Sequence, residues 1–99
     1  YTIKTIDGVC HITLLGDLTA SLVPEIKESL GKEIVGIQTM EFDMAATEVL
    51  DSSGIGLLVA CHNSLSKTGG QIRVINVNSN ILRLMQGMRL EKRLNVSGK

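Results

Sequence analysis

Aromatic side chains are nearly missing from this chain: Tyr1 and Phe42 are the only two. A core must therefore be built from Ile, Leu, Val and Met, and single-stranded RNA binding by base stacking is disfavoured. Net charge is missing too, since 10 Lys and Arg residues balance 10 Asp and Glu residues. No basic stripe concentrates along one element, so the usual nucleic-acid footprint is lacking and no nucleic-acid partner is expected. Long apolar runs are also absent. The longest, Ile55 to Cys61 with Gly56 inside it, is far too short to span a bilayer. The N-terminus lacks the charged-then-apolar pattern of a secretory signal. No membrane insertion is expected, and a cytoplasmic location is the default.

Cysteine is scarce: Cys10 and Cys61 are the only two. Each sits in an apolar stretch, Val9-Cys10-His11-Ile12 and Val59-Ala60-Cys61-His62, which reads as two small buried hydrophobes rather than a disulfide. A zinc site from both Cys-His pairs lacks the local pairing that makes such motifs specific. Neither a metal nor a cofactor is expected. A Walker-type phosphate loop is absent, and Gly54-x-Gly56 lacks the remaining glycine of a dinucleotide fingerprint. Asp17, Asp43 and Asp51 could cluster at strand ends, but three acids on separate loops are more often solvated surface.

What is present is ordinary globular material. With 99 residues, 43% of them hydrophobic and 20% charged, the chain fits a single domain over residues 1–99. Thr2 to Ile6 alternates as a strand and stops at Asp7-Gly8, a strong hairpin signal. In the next strand Val9, His11 and Thr13 face opposite to Cys10, Ile12 and Leu14. Leu22, Ile26 and Leu30 predict a helix, with Ser21 as its cap, Pro24 in its first turn and Gly31 at its end. Ile37 to Phe42 reads as a strand, Ser53 to Lys67 as an apolar-rich helix and Gln71 to Val77 as a strand. A third helix begins at Asn78-Ser79-Asn80, with Ile81, Leu82, Met85 and Met88 on one face; Leu94 to Val96 starts a last strand or a docked tail. The order β-β-α-β-α-β-α implies an α/β sandwich: a mixed sheet of four to five strands with about three helices.

The informative stretch is Val49 to Leu58. At 100° per residue, Ile55, Leu58, Val59, His62 and Leu65 share one side of the helix, with Leu57 and Cys61 flanking them. The other side carries Ser52, Gly56, Ala60, Asn63 and Lys67, so it offers no large apolar group. Glycine inside a helix costs about 1 kcal/mol relative to alanine. Gly54 and Gly56 therefore ask for close approach, by a partner or by the neighbouring loop. Ser52 stands where free N–H groups and the helix dipole favour negative charge, and a phosphate adds about −1.5 to −2 charges. The domain would tolerate that charge; a partner packed beside Asp51 would not. Spacing alone favours the plainer role of helix cap and neighbour for Asp51 and Ser52. Nucleophilic catalysis is disfavoured, because no Gly-x-Ser-x-Gly elbow exists and both histidines fall on faces expected to be buried.

Leu15-Gly16-Asp17-Leu18, then a helix and a strand, then Val49-Leu50-Asp51-Ser52-Ser53-Gly54-Ile55-Gly56-Leu57-Leu58, then Gly69-Gly70-Gln71-Ile72, resembles the STAS domain in order and spacing. The similarity covers nearly all of the chain and is closest to the stand-alone bacterial anti-sigma-factor antagonists. The resemblance implies a STAS-like sandwich that works by partner switching. The unphosphorylated protein binds an anti-sigma factor that is also an ATP-dependent serine kinase, phosphorylation of Ser52 releases it, and a PP2C-type phosphatase restores the first state. The antagonist is then a substrate and competitor, not an enzyme. The partner surface it implies comprises Asp17, Thr19, Asp51, Ser52, Ser53, Gly54, Gly56, Ala60 and Asn63. Where relatives often read Gly-Glu-Leu-Asp, this chain has Gly16-Asp17-Leu18-Thr19, so a hydroxyl replaces the second acid and Asp17 partly stands in. The loop Ala45-Ala46-Thr47-Glu48 keeps the family's length without its usual apolar pattern, and the final amphipathic helix of many relatives is expected to be absent or truncated. Two alternatives share the fold: a partner switch with another output, such as secretion or biofilm formation, and a small-ligand or lipid-binding STAS subunit.

Overall fold

Asp7 and Gly8 adopt positive φ angles of 51° and 79°, which turns β1 (Thr2–Ile6) back onto β2 (Val9–Thr13) as an antiparallel hairpin. Two adjacent left-handed residues match the right-handed twist of the strands, and Asp-Gly is the pair that adopts them at least cost. These and the following geometries come from a computed structural model that describes residues 1–33 and 36–99. The chain continues through α1 (Val23–Glu33), β3 (Thr39–Asp43), α2 (Ser52–Ser66), β4 (Gln71–Val77), α3 (Ser79–Gly87) and β5 (Val96–Gly98). The five strands lie side by side in chain order, with β2, β3, β4 and β5 mutually parallel. The fold is the expected mixed α/β sheet with three helices, closed by a fifth strand.

Because the strands follow one another without reversal, right-handed crossovers put every helix on the same face of the sheet. That face is the core. Cys10, Ile12, Met40, Phe42, Ile72 and Val74 point into it and are buried, and Leu18, Ile26, Leu58 and Met85 close it from the helical side. Burying one aliphatic side chain of this size contributes about 1.5–3 kcal/mol. A core almost without aromatics is thus sufficient.

The other face stays open to solvent and carries a polar row. The register aligns Lys4 with His11, His11 with Glu41, and Glu41 with Arg73. Glu41 bridges its neighbours, 3.0 Å from His11 Nδ1 and 2.9 Å from the Arg73 guanidinium. This corrects the expectation that both histidines are buried. His11 lies on the uncovered face because all the helices are on the other one. Strand alternation also sends His11 and Cys10 to opposite faces, which dissolves the imagined Cys/His cluster; both cysteines are buried thiols.

Three boundaries differ from expectation. Helix α1 runs through Gly31 to Glu33, and the left-handed glycine comes later, at Gly36 with φ 80°. Ser21 does not cap α1, because the Thr19 carbonyl accepts the N–H groups of Leu22 and Val23 while the Ser21 hydroxyl meets that of Thr19 at 3.0 Å. Pro24 does sit in the first turn, where its missing donor is harmless. Strand β3 starts at Thr39 rather than Ile37, although Ile37 is buried. On α3, Ile81 and Met85 are buried, but Met88 lies past the last turn and is 47% exposed.

Candidate functional site

The C-terminal ends of the parallel strands deliver three loops to one end of the molecule, and two aspartates tie the first two together. Asp17, in the loop between β2 and α1, accepts through Oδ1 from the N–H groups of Glu48 (3.1 Å) and Val49 (2.9 Å) in the loop between β3 and α2. Asp51 reaches back: its Oδ1 accepts from Gly54 N–H and its Oδ2 from Ala20 N–H, both at 2.9 Å. Between these clamps Leu18 and Leu50 form an isolated parallel bridge, and the buried Thr47 hydroxyl donates to the Gly16 carbonyl at 2.8 Å. The third loop joins through Asn78. This residue caps α3 by accepting from Ile81 N–H and donates its amide to the carbonyls of Thr47 and Glu48. Residues 45–49 and 78–80, with Lys99, line an open cavity of about 500 Å³ beside this junction.

Asp51 is the N-cap of α2, with the extended backbone that a cap requires. Hydrogen bonds from the backbone N–H of Gly54 and then of Ala20 hold its carboxyl below its ordinary value, and desolvation opposes them only in part. It is an anion at neutral pH. Ser52 follows as the first residue of the helix and is exposed, and among the described residues no side chain holds its hydroxyl. Below it Gly56, Ala60, Asn63 and Lys67 are exposed in turn.

The buried side of α2 is rotated from the expected one. Gly54, Leu57, Leu58, Cys61 and Leu65 are buried, while Ile55, Val59 and His62 are half-covered. The two glycines consequently separate. A Cβ on Gly54 would meet the Leu18 carbonyl oxygen at 2.5 Å and Leu50 Cδ1 at 2.6 Å, whereas a Cβ on Gly56 meets nothing within 4 Å. Gly54 is thus explained by the neighbouring loop and lies away from the surface that Ser52, Gly56, Ala60 and Asn63 share. Ser53 and Thr19 are half-buried at its edge, and Asp17 is exposed although its carboxylate is engaged.

The three acids at the strand ends do not converge. Asp43 bonds Ala45 N–H and the Asn76 amide, and Asp17 and Asp51 serve the separate clamps. Among the described residues no group of His, Cys, Asp and Glu could hold a metal ion. Cys61 is a buried thiol pushed up to about 11 by burial and by Cys10, which makes it a weak nucleophile. Sequence reasoning missed Thr47, Ala20 and Asn78 as supports, and missed the exposure of Leu15 (67%) and Val49 (52%) on the clamped loops. Only Asn78 had a signal, as an amide residue directly before a helix.

The family model described as the STAS domain matches residues 1–98. The chain belongs to the STAS domain family. Among solved structures, an anti-sigma factor antagonist from Mycobacterium paratuberculosis is 21% identical with a TM-score of 0.82, covering 99% of this chain and 84% of its own. The Bacillus cell fate determinant SpoIIAA in its phosphorylated form is 19% identical with a TM-score of 0.78, covering 99% of this chain and 91% of its own. A sulfate transporter family protein from Wolinella succinogenes is 16% identical with a TM-score of 0.76, covering 92% and 75%. At these identities the likeness establishes the fold. No curated protein matches. Among the described residues no helix is long and apolar enough to cross a membrane.

Proposed function

We propose that this STAS chain is an anti-sigma-factor antagonist that works by partner switching in the cytoplasm. In its unphosphorylated form it binds an anti-sigma factor that is also an ATP-dependent serine kinase. Transfer of the γ-phosphoryl group of ATP to the Ser52 hydroxyl, with loss of that proton, releases the complex. A PP2C-type phosphatase hydrolyses the ester and resets the protein. The chain contributes no catalytic group and acts as substrate and competitor.

One observation carries this reading: an exposed, unengaged hydroxyl stands at the first residue of α2, between an ionised cap and a side of the helix that is bare at Gly56 and Ala60. A partner packed there would meet small groups and one hydroxyl. Phosphorylation places about −1.5 to −2 charges beside the Asp51 carboxylate, inside a contact that has shed its water. Repulsion and desolvation act together on the complex, while the clamps hold the domain unchanged.

The test is binding to the cognate kinase by wild type, Ser52→Ala and Ser52→Asp, with mass-spectrometric mapping after incubation with kinase and ATP. Ser52→Ala should bind like wild type and take up no phosphate at that position; Ser52→Asp should bind ~100-fold more weakly. Equal binding by the two variants rejects the proposal. It would favour the alternative prompted by the transporter-family neighbour, a ligand-binding STAS subunit indifferent to phosphorylation.

A further inference from the structure

The even charge balance conceals a strong polarity. Residues 79–99 hold five of the ten basic residues but only one of the ten acidic ones, so their net charge is +4 and that of residues 1–78 is −4. The fold converts part of this sequence asymmetry into a spatial one; Lys99, which lines the cavity beside Glu48, stays at the acidic end, and the other four basic residues lie elsewhere. Asp17, Asp43, Glu48 and Asp51 all lie at the end formed by the C-terminal ends of the strands, although their carboxylates do not converge. Helix α3 starts beside Glu48 and runs away from that end. The segment after it is anchored at the far end, where the Asn95 amide donates to the Ile72 carbonyl at 2.7 Å near the start of β4. Arg83, Arg89, Lys92 and Arg93 are all exposed along this course, and among the described residues none of them forms an ion pair.

Each pole also shows apolar surface. Leu15 and Val49 are exposed at the acidic pole, and Leu84 (39%) and Met88 (47%) at the basic one; these are four of the five large hydrophobics so exposed among the described residues. Leu84 and Met88 stack one helical turn apart, Met88 N–H donating to the Leu84 carbonyl. The next residue is the strained one. Arg89 adopts a φ of 58° at the position that ends α3, where Leu90 N–H closes on the Met85 carbonyl at 2.8 Å. Glycine is the usual choice there, and an arginine held in the left-handed region points to a use for its side chain.

We propose that the two poles are complementary docking surfaces and that this chain associates head to tail with a second copy of itself. Leu84 and Met88 of one molecule then pack against Leu15 and Val49 of the next, while Arg83, Arg89 and Arg93 face Asp17 and Glu48. The contact is heterologous, so it propagates rather than closing. It is small, below the ~1,000 Å² of a stable interface, and therefore weak and salt-sensitive. A bilayer is a poorer occupant of the basic pole, because the main apolar stripe of α3, Ile81 and Met85, is already spent inside the domain. Stacking covers the end that carries Ser52, which sets self-association in competition with any partner there.

The test is sedimentation equilibrium of the whole chain between ~10 µM and ~1 mM, at ~20 mM and ~500 mM salt. In low salt the weight-average mass should rise at least roughly twofold without a plateau at dimer, and in high salt it should stay at the monomer value. Glu48→Lys with Val49→Ser breaks one pole; Met88→Glu with Arg93→Glu breaks the other. Each double variant, shown folded by circular dichroism, should remain monomeric alone. Mixed in equal amounts they retain one intact pairing and should stop at the heterodimer. A wild type that is monomeric throughout, association that survives high salt or both pairs of substitutions, or a mixture that stays monomeric overturns the proposal. Uptake of monomeric wild type by anionic phosphatidylserine vesicles, with no self-association, overturns it in favour of a membrane.

Discussion

Gly54 and Gly56 are the same residue on the same helix, two positions apart, and they face opposite constraints. Gly54 is pressed against the Leu18 backbone and Leu50 by the clamp between the first two loops, while Gly56 opens onto nothing in its own domain. The inner side of α2 is constrained by the fold. The outer side, from Ser52 through Gly56 and Ala60 to Asn63, is left bare by its own domain. A residue's type alone does not reveal which kind of constraint it answers. Its neighbours in space do.

The largest break in this contrast should come from Gly54→Val. Its side chain has no room beside the Leu18 carbonyl, which also accepts Asp51 N–H, so relief of the clash loosens the clamp itself. A loss of about 3 kcal/mol is expected in denaturant unfolding, at the upper end of overpacking costs. Wild-type stability in this variant would show that the loops yield freely and that the inner side is no more constrained than the outer.

Cys61 measures the same inner side by chemistry. Its thiol is raised from 9.0 to about 11, mainly by burial and next by Cys10, with Lys27 opposing. At pH 7 the thiolate is scarcer by about two decades than for an ordinary thiol, so alkylation mapped by mass spectrometry should run ~100-fold slower in the folded protein than in denaturant. Comparable rates would mean that the inner face of α2 opens readily.

Asp51 stands at the junction of the two sides, and its contribution depends on pH with a definite sign. The carboxyl is held below its ordinary value of 3.8 in the folded chain, chiefly by Gly54 N–H and then by Ala20 N–H. The unfolded state therefore takes up the proton first as pH falls. The stabilisation is complete above the ordinary value and is lost as pH drops through the lowered one. Asp51→Asn removes this dependence. Unfolding midpoints of wild type and variant should differ most near neutrality and converge in acid; a constant difference would show that the charge contributes nothing.

These distinctions were legible in the sequence to uneven depth. Asp7-Gly8 announced its hairpin because the turn is decided by two residues, and helical period gave the bare side of α2 but not its buried side, which is rotated from the expected one. Asp51 and Ser52 were likewise placed by local chemistry at a helix start. Long-range packing was not written there. Gly31 is a plausible helix stop, yet α1 runs past it to Glu33. His11 reads as a core residue between apolar neighbours until one knows that three crossovers put every helix on the other face. Thr47, Ala20 and Asn78 support the site through partners 31 residues away in three of their four bonds and 30 in the fourth, which no local pattern encodes.

The smallest expected effect is also the sharpest test of the contrast. Gly56→Ala adds a methyl group that meets nothing within 4 Å, and it replaces a residue that weakens a helix interior by about 0.5–1 kcal/mol. For the isolated domain the substitution should therefore be stabilising by that amount, visible as a small rise in the unfolding midpoint. If the bare side of α2 is where the kinase settles, the same methyl stands in the path of a close backbone approach, and affinity should fall ~10-fold while stability rises. The opposite signs matter more than the sizes. A variant that is both more stable and equally well bound would place the partner elsewhere, and Gly56 would then be a cost that the protein bears without return.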